Sequence, residues 1–379
     1  MKRIIYFDNA ATTRPYSEVI DAATPYMRDM FYNPGGTYEG GETAHQAVED
    51  TRRVIAETIG AEPEEIIFTS GGSESDNLAI KGVMMRYFPR GHIITTAVEH
   101  KAVLNACKHL EKMGFAVTYL QPDSRGVITA KQVADAIRPD TRLVSVMAAN
   151  NEIGTMYPID EIGEICDSNN IFFHVDAVQL YGHVPINVKE AKIDLLSASG
   201  HKFHGLKGCG FLYKMKDLEL VSQIDGGSQE FGERAGTENV PAIVAMGVAA
   251  KMSHDNIRDK ADYVLSLRDY MIESILREIP GSFLNGTLLR RLPGNVNMGF
   301  NGVPGEVALR LLDANGICAS TGSACNSGNG LPSHVLTAIG LTEKEANSCL
   351  RFTLNEENTM EEINLVIDTL KRVIEQIRR

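Results

Sequence analysis

The chain has 379 residues, enough for two domains or for one large domain with an appendage, and 37 Lys and Arg against 49 Asp and Glu give it a formal net charge of −12. An acidic field of this kind gives no counterion-release attraction to a phosphate backbone, so no direct nucleic-acid ligand is expected. With 43% hydrophobic and 23% charged residues, 34 Gly, 14 Pro and no Trp, the composition is that of a globular protein and excludes disordered or collagen-like classes.

The opening MKRIIYFDNA carries two basic residues, but Asp8 interrupts the apolar run that a secretory leader needs, so a cytoplasmic location is expected. Residues 43–59 place Ala44, Ala47, Val48, Val54, Ile55 and Ile59 near helical spacing and stop at Gly60, which predicts a helix with a glycine C-cap. Seven short buried strands are predicted at 66–68, 93–95, 117–119, 143–146, 172–175, 195–197 and 210–213, with helical stretches such as 101–113 and 130–138 between several of them. That alternation implies an α/β fold with a mostly parallel sheet covered on both faces. The longest apolar stretch, 242–250, is far below the roughly 18 residues of a membrane span, so it predicts a buried helix and no membrane partner. From about residue 257 the texture changes to a charged helix over 256–277, the turn-rich LPGNVNMGFNGVPG, a loop of small residues around Cys325 and a final helix from Met360; a second, smaller α+β domain is predicted.

Five segments carry chemistry. In FTSGGSESDNLAI (68–80) a strand runs through Gly71, Gly72 and Ser73 into a helix, so backbone N–H groups can converge on an anion. The segment lacks the P-loop and dinucleotide patterns, and such turns also occur without a ligand. Asp176, in HVDAVQ, closes a strong strand at the end where open α/β sheets bind ligands; alone it would read equally as a helix cap. Lys202 follows a strand in SASGHKFHG, beside Ser199 and His201. A lysine for an aldehyde, an acid for a ring nitrogen and donors for a phosphate are the set that pyridoxal 5'-phosphate requires. His100, at a further strand end in TAVEHK, has a ring and a pKa range suited to stacking and proton transfer. Cys325 sits in STGSACNSGNG, a run of small polar residues that predicts a mobile loop, whereas the other five cysteines fall in helix- or strand-like patterns. With no CxxC spacing, neither a resident metal nor a disulfide framework is expected.

Taken together, DNAATT (8–13), TSGGSESDNLAIKG, VEHKAV, NNEIG, HVDAVQ, SGHKFHGLKG, RAGTEN, TGSACNSG, PSHVL and LRFTL run in order along nearly the whole chain, and the set resembles the class I cysteine desulfurases, the NifS/IscS group of fold-type I pyridoxal phosphate enzymes. The SAC-containing loop matches class I; class II members carry a different, shorter loop. The resemblance implies a large domain over 15–257 with a seven-stranded sheet, and a small domain from 1–14 and 258–379 that carries the cysteine loop at about 319–330. It implies that Lys202 binds the cofactor aldehyde, Asp176 the pyridinium nitrogen, and Gly72, Ser73, Ser199 and His201 the phosphate, with Thr237 supplied by the second subunit of a homodimer. His100 would stack on the ring and handle the thiol proton. Gln179 and Asn151 would contact the phenolic oxygen and the substrate, and Arg351 the substrate carboxylate, with Asn33 near it. Ser73 stands where relatives commonly have threonine, which keeps the hydroxyl.

The activity so implied takes sulfur from L-cysteine, leaves L-alanine and places a persulfide on Cys325. A sulfur-acceptor protein such as an iron–sulfur scaffold or a tRNA-thiolation enzyme would receive it, and Cys325 would be at most a transient iron–sulfur ligand. A selenocysteine lyase and an aminotransferase of small amino acids share every cofactor residue and are the alternatives; the aminotransferase would need an added keto acid and no Cys325. A non-catalytic docking module would not require Lys202, Asp176, His100 and Cys325 together.

Overall fold

The computed structural model describes residues 4–321 and 332–379. The chain opens with strand β1 (Ile5–Tyr6) and helices α1 (Ser17–Arg28) and α2 (Glu39–Ile59). It then alternates through β2 (Ile66–Thr69), α3 (Gly72–Met84), β3 (His92–Thr96), α4 (Lys101–Lys112), β4 (Ala116–Leu120), α5 (Ala130–Ala136), β5 (Thr141–Ser145), α6 (Ile159–Ser168), β6 (Phe172–Asp176), β7 (Leu195–Ser199) and β8 (Gly210–Lys214). Helices α7 (Val240–His254) and α8 (Ile257–Glu278) follow, then β9 (Ser282–Leu284), β10 (Asn295–Phe300), α9 (Gly305–Ala314) and β11 (Ile317–Cys318). The last elements are α10 (His334–Ala338), α11 (Glu343–Ala346), β12 (Cys349–Thr353) and α12 (Met360–Arg378).

The seven expected strands form one sheet in the order β2-β8-β7-β6-β5-β3-β4. Every pair from β7 to β4 is parallel, while β8 runs against both of its neighbours, β7 and β2. Two reversals cancel, so β2 points the same way as β7. The carboxyl ends of β2, β3, β5, β6 and β7 therefore share one edge of the sheet, the edge at which open α/β sheets bind ligands. Central strands are buried on both faces: in β6 Phe173 and Val175 fill one face, each contributing about 1.5–3 kcal/mol, and His174 is buried on the other. The edge strand β4 is mostly half-buried.

Local chemistry explains where the helices stop and start. Helix α5 ends at Ala136, ahead of the predicted 138, because Pro139 disfavours helical geometry in the residue before it. Helix α2 begins at Glu39 instead of 43. Its glycines weaken the helical pattern, but a Cβ on Gly41 would lie 2.3 Å from the Gly36 carbonyl oxygen, so close packing requires glycine there. The uniformly apolar α7 is buried against α1 and α2, as its sequence predicts. Among the described residues no helix is long and apolar enough to cross a membrane.

Beyond α8 the topology changes to an antiparallel sheet, β12-β10-β9, and a parallel pair, β1 with β11. One apolar cluster joins Ile5 and Phe7 to residues from Val264 to Ile374, separate from the clusters around the large sheet. Helix α12 feeds that cluster through Ile363, Val366, Ile367, Leu370 and Ile374, and starts at a capping box between Thr359 and Glu362. The N-terminal segment then crosses to the large sheet: Asp8 bridges to Thr353, and Thr13 N–H donates to the His201 carbonyl at 2.9 Å.

Candidate active site

The carboxyl edge of the large sheet opens onto a cavity of about 300 Å³. At one end β2 gives way to α3, with Gly71 as N-cap at φ 145° and no side chain capping the helix. The N–H groups of Gly72 and Ser73 make no hydrogen bond among the described residues, so two donors at a helix N-terminus stand open. A Cβ on Gly72 would lie 2.6 Å from Val178 Cγ2, so only glycine lets this helix end sit against the loop after β6. Ser199 and His201 border the same cavity. Burial pushes His201 down to about 4, with Lys202 and Lys207 adding to the shift, so its ring is neutral.

Lys202 is positioned by the N-terminal crossing. Its Nζ donates to the carbonyls of Ala10 at 2.6 Å and Ala11 at 2.9 Å, and Gln179 Nε2 donates to the same Ala10 carbonyl at 3.0 Å. Asp176, at the end of β6, is buried and accepts from Val178 N–H at 3.0 Å. Burial raises its pKa, while His100, that N–H and Lys202 pull it back. Asp76 lines the same cavity and is raised well above the carboxylate range by burial and then by Asp176; its Oδ1, 3.7 Å from His174 Nε2, has no hydrogen-bond partner among the described residues. Burial raises both carboxyls, and Asp176, with the Val178 N–H and the nearby His100 and Lys202, is the better placed of the two to hold a charge.

His100 is the N-cap of α4: its Nδ1 accepts from Ala102 N–H at 3.2 Å, so the neutral ring keeps its proton on Nε2. Burial is the main cause of its lowered pKa. The adjoining Glu99 is fully buried, accepts from Thr96 Oγ1 at 2.8 Å and from Met147 N–H at 3.1 Å, and is pushed up to about 8, first by burial and also by Asp176. A carboxyl whose pKa is higher in the folded than in the unfolded chain favours folding at low pH, and that contribution disappears as pH rises from about 4.5 through 8. Glu99→Gln removes the titration. The variant's melting temperature should therefore fall less than that of the unsubstituted protein between pH 5 and 9, as followed by circular dichroism; parallel curves would contradict the assignment.

Arg351, on β12, is 1% exposed and reaches the cavity from the small sheet. It donates through Nη1 to the Asn151 carbonyl at 2.9 Å and through Nη2 to Asp8 Oδ1 at 2.8 Å, and its buried Nε has no partner among the described residues. An unsatisfied donor on a buried cation is costly, which makes it a ready site for a carboxylate. Glu152, fully buried beside it, accepts from Ser333 Oγ and has its pKa raised by burial.

Of the residues predicted from sequence, Gly72, Ser73, His100, Asn151, Asp176, Gln179, Ser199, His201, Lys202 and Arg351 all line this one cavity. Asn33 and Thr237 do not: both are exposed, and Asn33 Oδ1 accepts from Gly35 N–H at 2.8 Å. Cys325 lies outside the described residues; of the described residues on either side, Ser320 pairs with Arg351, and Ser333 bonds to Glu152. Asp76, Lys101, Glu152 and His334 also line the cavity and were given no role from sequence, although each falls within a quoted motif.

An α/β sheet with a lysine and an aspartate at adjacent strand ends and an open helix N-terminus defines a class of cofactor-dependent enzyme, and the comparisons agree. The family model for aminotransferase class-V matches residues 5–366, and the chain belongs to that family. It is 48% identical to "Cysteine desulfurase IscS" of Methanosarcina thermophila, over 99% of this chain and 93% of that protein. Among solved structures it is similar to one titled "NIFS-LIKE PROTEIN", with a TM-score of 0.93 and 34% identity over 99% of this chain and 100% of the other. A second, "SspA in complex with cysteine", has a TM-score of 0.83 and 41% identity over 93% of this chain and 99% of the other.

Proposed function

We propose that this chain is a pyridoxal-phosphate-dependent cysteine desulfurase that takes sulfur from L-cysteine, releases L-alanine and carries the sulfur as a persulfide on Cys325. The observation that carries the reading is the convergence in one cavity of Lys202, buried Asp176, the open N-terminus of α3 and the unsatisfied Nε of Arg351. The relatives named cysteine desulfurase and the similar structure holding cysteine support the substrate.

The residues present fit the cofactor. The open N–H groups of Gly72 and Ser73, with Ser199 and His201, suit its phosphate; Asp176 suits the pyridinium nitrogen, Gln179 and Asn151 the phenolic oxygen, and Lys202 the aldehyde. When bound, pyridoxal phosphate supplies an electron sink for charge that develops at the substrate α-carbon. Arg351 fixes the substrate carboxylate. Lys202 Nζ removes the α-proton, and the carbonyls of Ala10 and Ala11 orient it. His100 would stack on the cofactor ring and offer its Nε2–H as a donor. The Cys325 thiolate attacks the substrate sulfur, so a carbon–sulfur bond breaks as the sulfur–sulfur bond of the persulfide forms. The carbon fragment is protonated and leaves as L-alanine.

Thr237, exposed on this chain, completes the phosphate site of the second subunit in a homodimer. The small domain over 1–14 and 258–379 brings Arg351 and the cysteine loop to the large domain over 15–257. The persulfide passes to a sulfur-acceptor protein in the cytoplasm.

Arg351→Lys keeps a positive charge opposite Asp8 but loses the planar fork and Nε. The KM for L-cysteine should rise at least about tenfold, with a smaller change in kcat. The reading as a whole is tested by the absorbance spectrum of the purified protein, followed by joint assay of alanine and sulfide with L-cysteine and a reductant. Equal yields of both products are expected. Dependence on an added keto acid would favour an aminotransferase, and a colourless protein that pyridoxal phosphate does not restore would overturn the cofactor assignment.

A further inference from the structure

Three imidazoles border the cavity, and their hydrogen bonds leave different ring nitrogens open. His100 has its Nδ1 taken by Ala102 N–H, so in its neutral form it offers the cavity only an Nε2–H donor. His201 has its Nδ1 3.1 Å from Thr12 Oγ1. His334 carries its proton on the same nitrogen as His100 but has the other nitrogen open. Its Nε2 lies 2.9 Å from the backbone carbonyl of Glu99, and a carbonyl only accepts, so Nε2 carries the proton and Nδ1 is a bare lone pair. That Nδ1 is buried and has no partner among the described residues.

The substrate chemistry matches this vacancy. L-Cysteine has three polar groups; in the reading above, its carboxylate goes to Arg351 and its amine to the cofactor end beside Lys202. His100, expected to handle the thiol proton, has its acceptor nitrogen taken by Ala102 N–H, which leaves the thiol without an acceptor there, while His334 Nδ1 is an open one. We propose that His334 Nδ1 accepts the hydrogen bond of the substrate S–H, which makes His334 the residue that selects a thiol-bearing amino acid and orients its sulfur. The inference rests on the desulfurase reading. Burial, with Lys101 and His100 nearby, holds the His334 ring down at about 4, so it stays neutral and works as an acceptor and not as a base. Ser333, the N-cap of α10, fixes its place by bonding to Glu152 and to the N–H groups of Val335 and Leu336.

The test uses the cofactor-loaded protein in a Cys325→Ser background, so that binding is read from the cofactor's absorbance without turnover. L-Cysteine is titrated against L-2-aminobutyrate, which replaces the S–H by a methyl group at nearly the same volume. The protein with His334 should prefer L-cysteine by about tenfold. His334→Gln puts an amide nitrogen in place of Nε2 to keep the bond to Glu99, and should erase the preference. His334→Asn puts a carbonyl oxygen in place of Nδ1 and should restore most of it. Equal affinities for the two ligands in the protein with His334 overturn the proposal even if a variant fails to fold, and so does a glutamine variant that keeps the preference. If neither ligand perturbs the spectrum, the desulfurase reading fails and this inference fails with it.

Discussion

Lys202→Ala should abolish sulfide and alanine formation from L-cysteine and remove the visible band that a lysine-bound pyridoxal carries, while the circular dichroism spectrum stays that of a folded protein. The fold is expected to tolerate the loss, since the bonds of Nζ to the Ala10 and Ala11 carbonyls tie it to a short crossing segment and not to the apolar core. The chemistry depends on it twice, as the amine that holds the aldehyde and as the base at the α-carbon, where a positioned general base contributes roughly 10²–10⁴-fold. Loss of both roles should bring turnover below about a thousandth of the starting value. Lys101 is the other amine that lines the cavity, which makes Lys101→Ala the informative control. If the band survives in Lys202→Ala and vanishes in Lys101→Ala, the assignment moves from the end of β7 to the start of α4.

The parts of this site that were legible in the sequence are those fixed by the chain next to them. Gly72, His100, Asp176 and Lys202 each lie at or just past the carboxyl end of a recognisable strand, and strand ends on one edge of a parallel sheet converge without further information. The reversal of β8 was not legible, because pairing order is decided between segments far apart and a short apolar run reads the same in either direction. Nor does an alanine announce that its carbonyl will hold a lysine: Ala10 and Lys202 stand 192 residues apart, and the bond uses backbone atoms that every residue has. Glu99 and Asp76 look like ordinary surface acids in their motifs, and only burial, which no local pattern encodes, makes them proton-bearing groups. Thr237 was read as reaching another subunit; on this chain it is exposed and does not line the cavity.

Cys325→Ser should keep the cofactor's absorbance and its response to L-cysteine, and should abolish both sulfide release and the protein-bound persulfide seen by mass spectrometry. A serine hydroxyl has nearly the same size, but at neutral pH it offers no thiolate and cannot form a sulfur–sulfur bond. Cys107, Cys166, Cys209 and Cys349 are buried, and burial pushes the thiols of Cys166, Cys209 and Cys349 up to about 12 and that of Cys107 higher still, far from the ionisation that nucleophilic attack needs. Cys318 is the one partly exposed alternative, and its thiol is also raised, by burial and by Asp313 and Asp8. It lies on β11, two residues before the Ser320 pairing with Arg351. Persulfide that persists in Cys325→Ser and disappears when Cys318→Ser is added would place the nucleophile on β11. A single loss in Cys325→Ser leaves Cys325 as the carrier of sulfur.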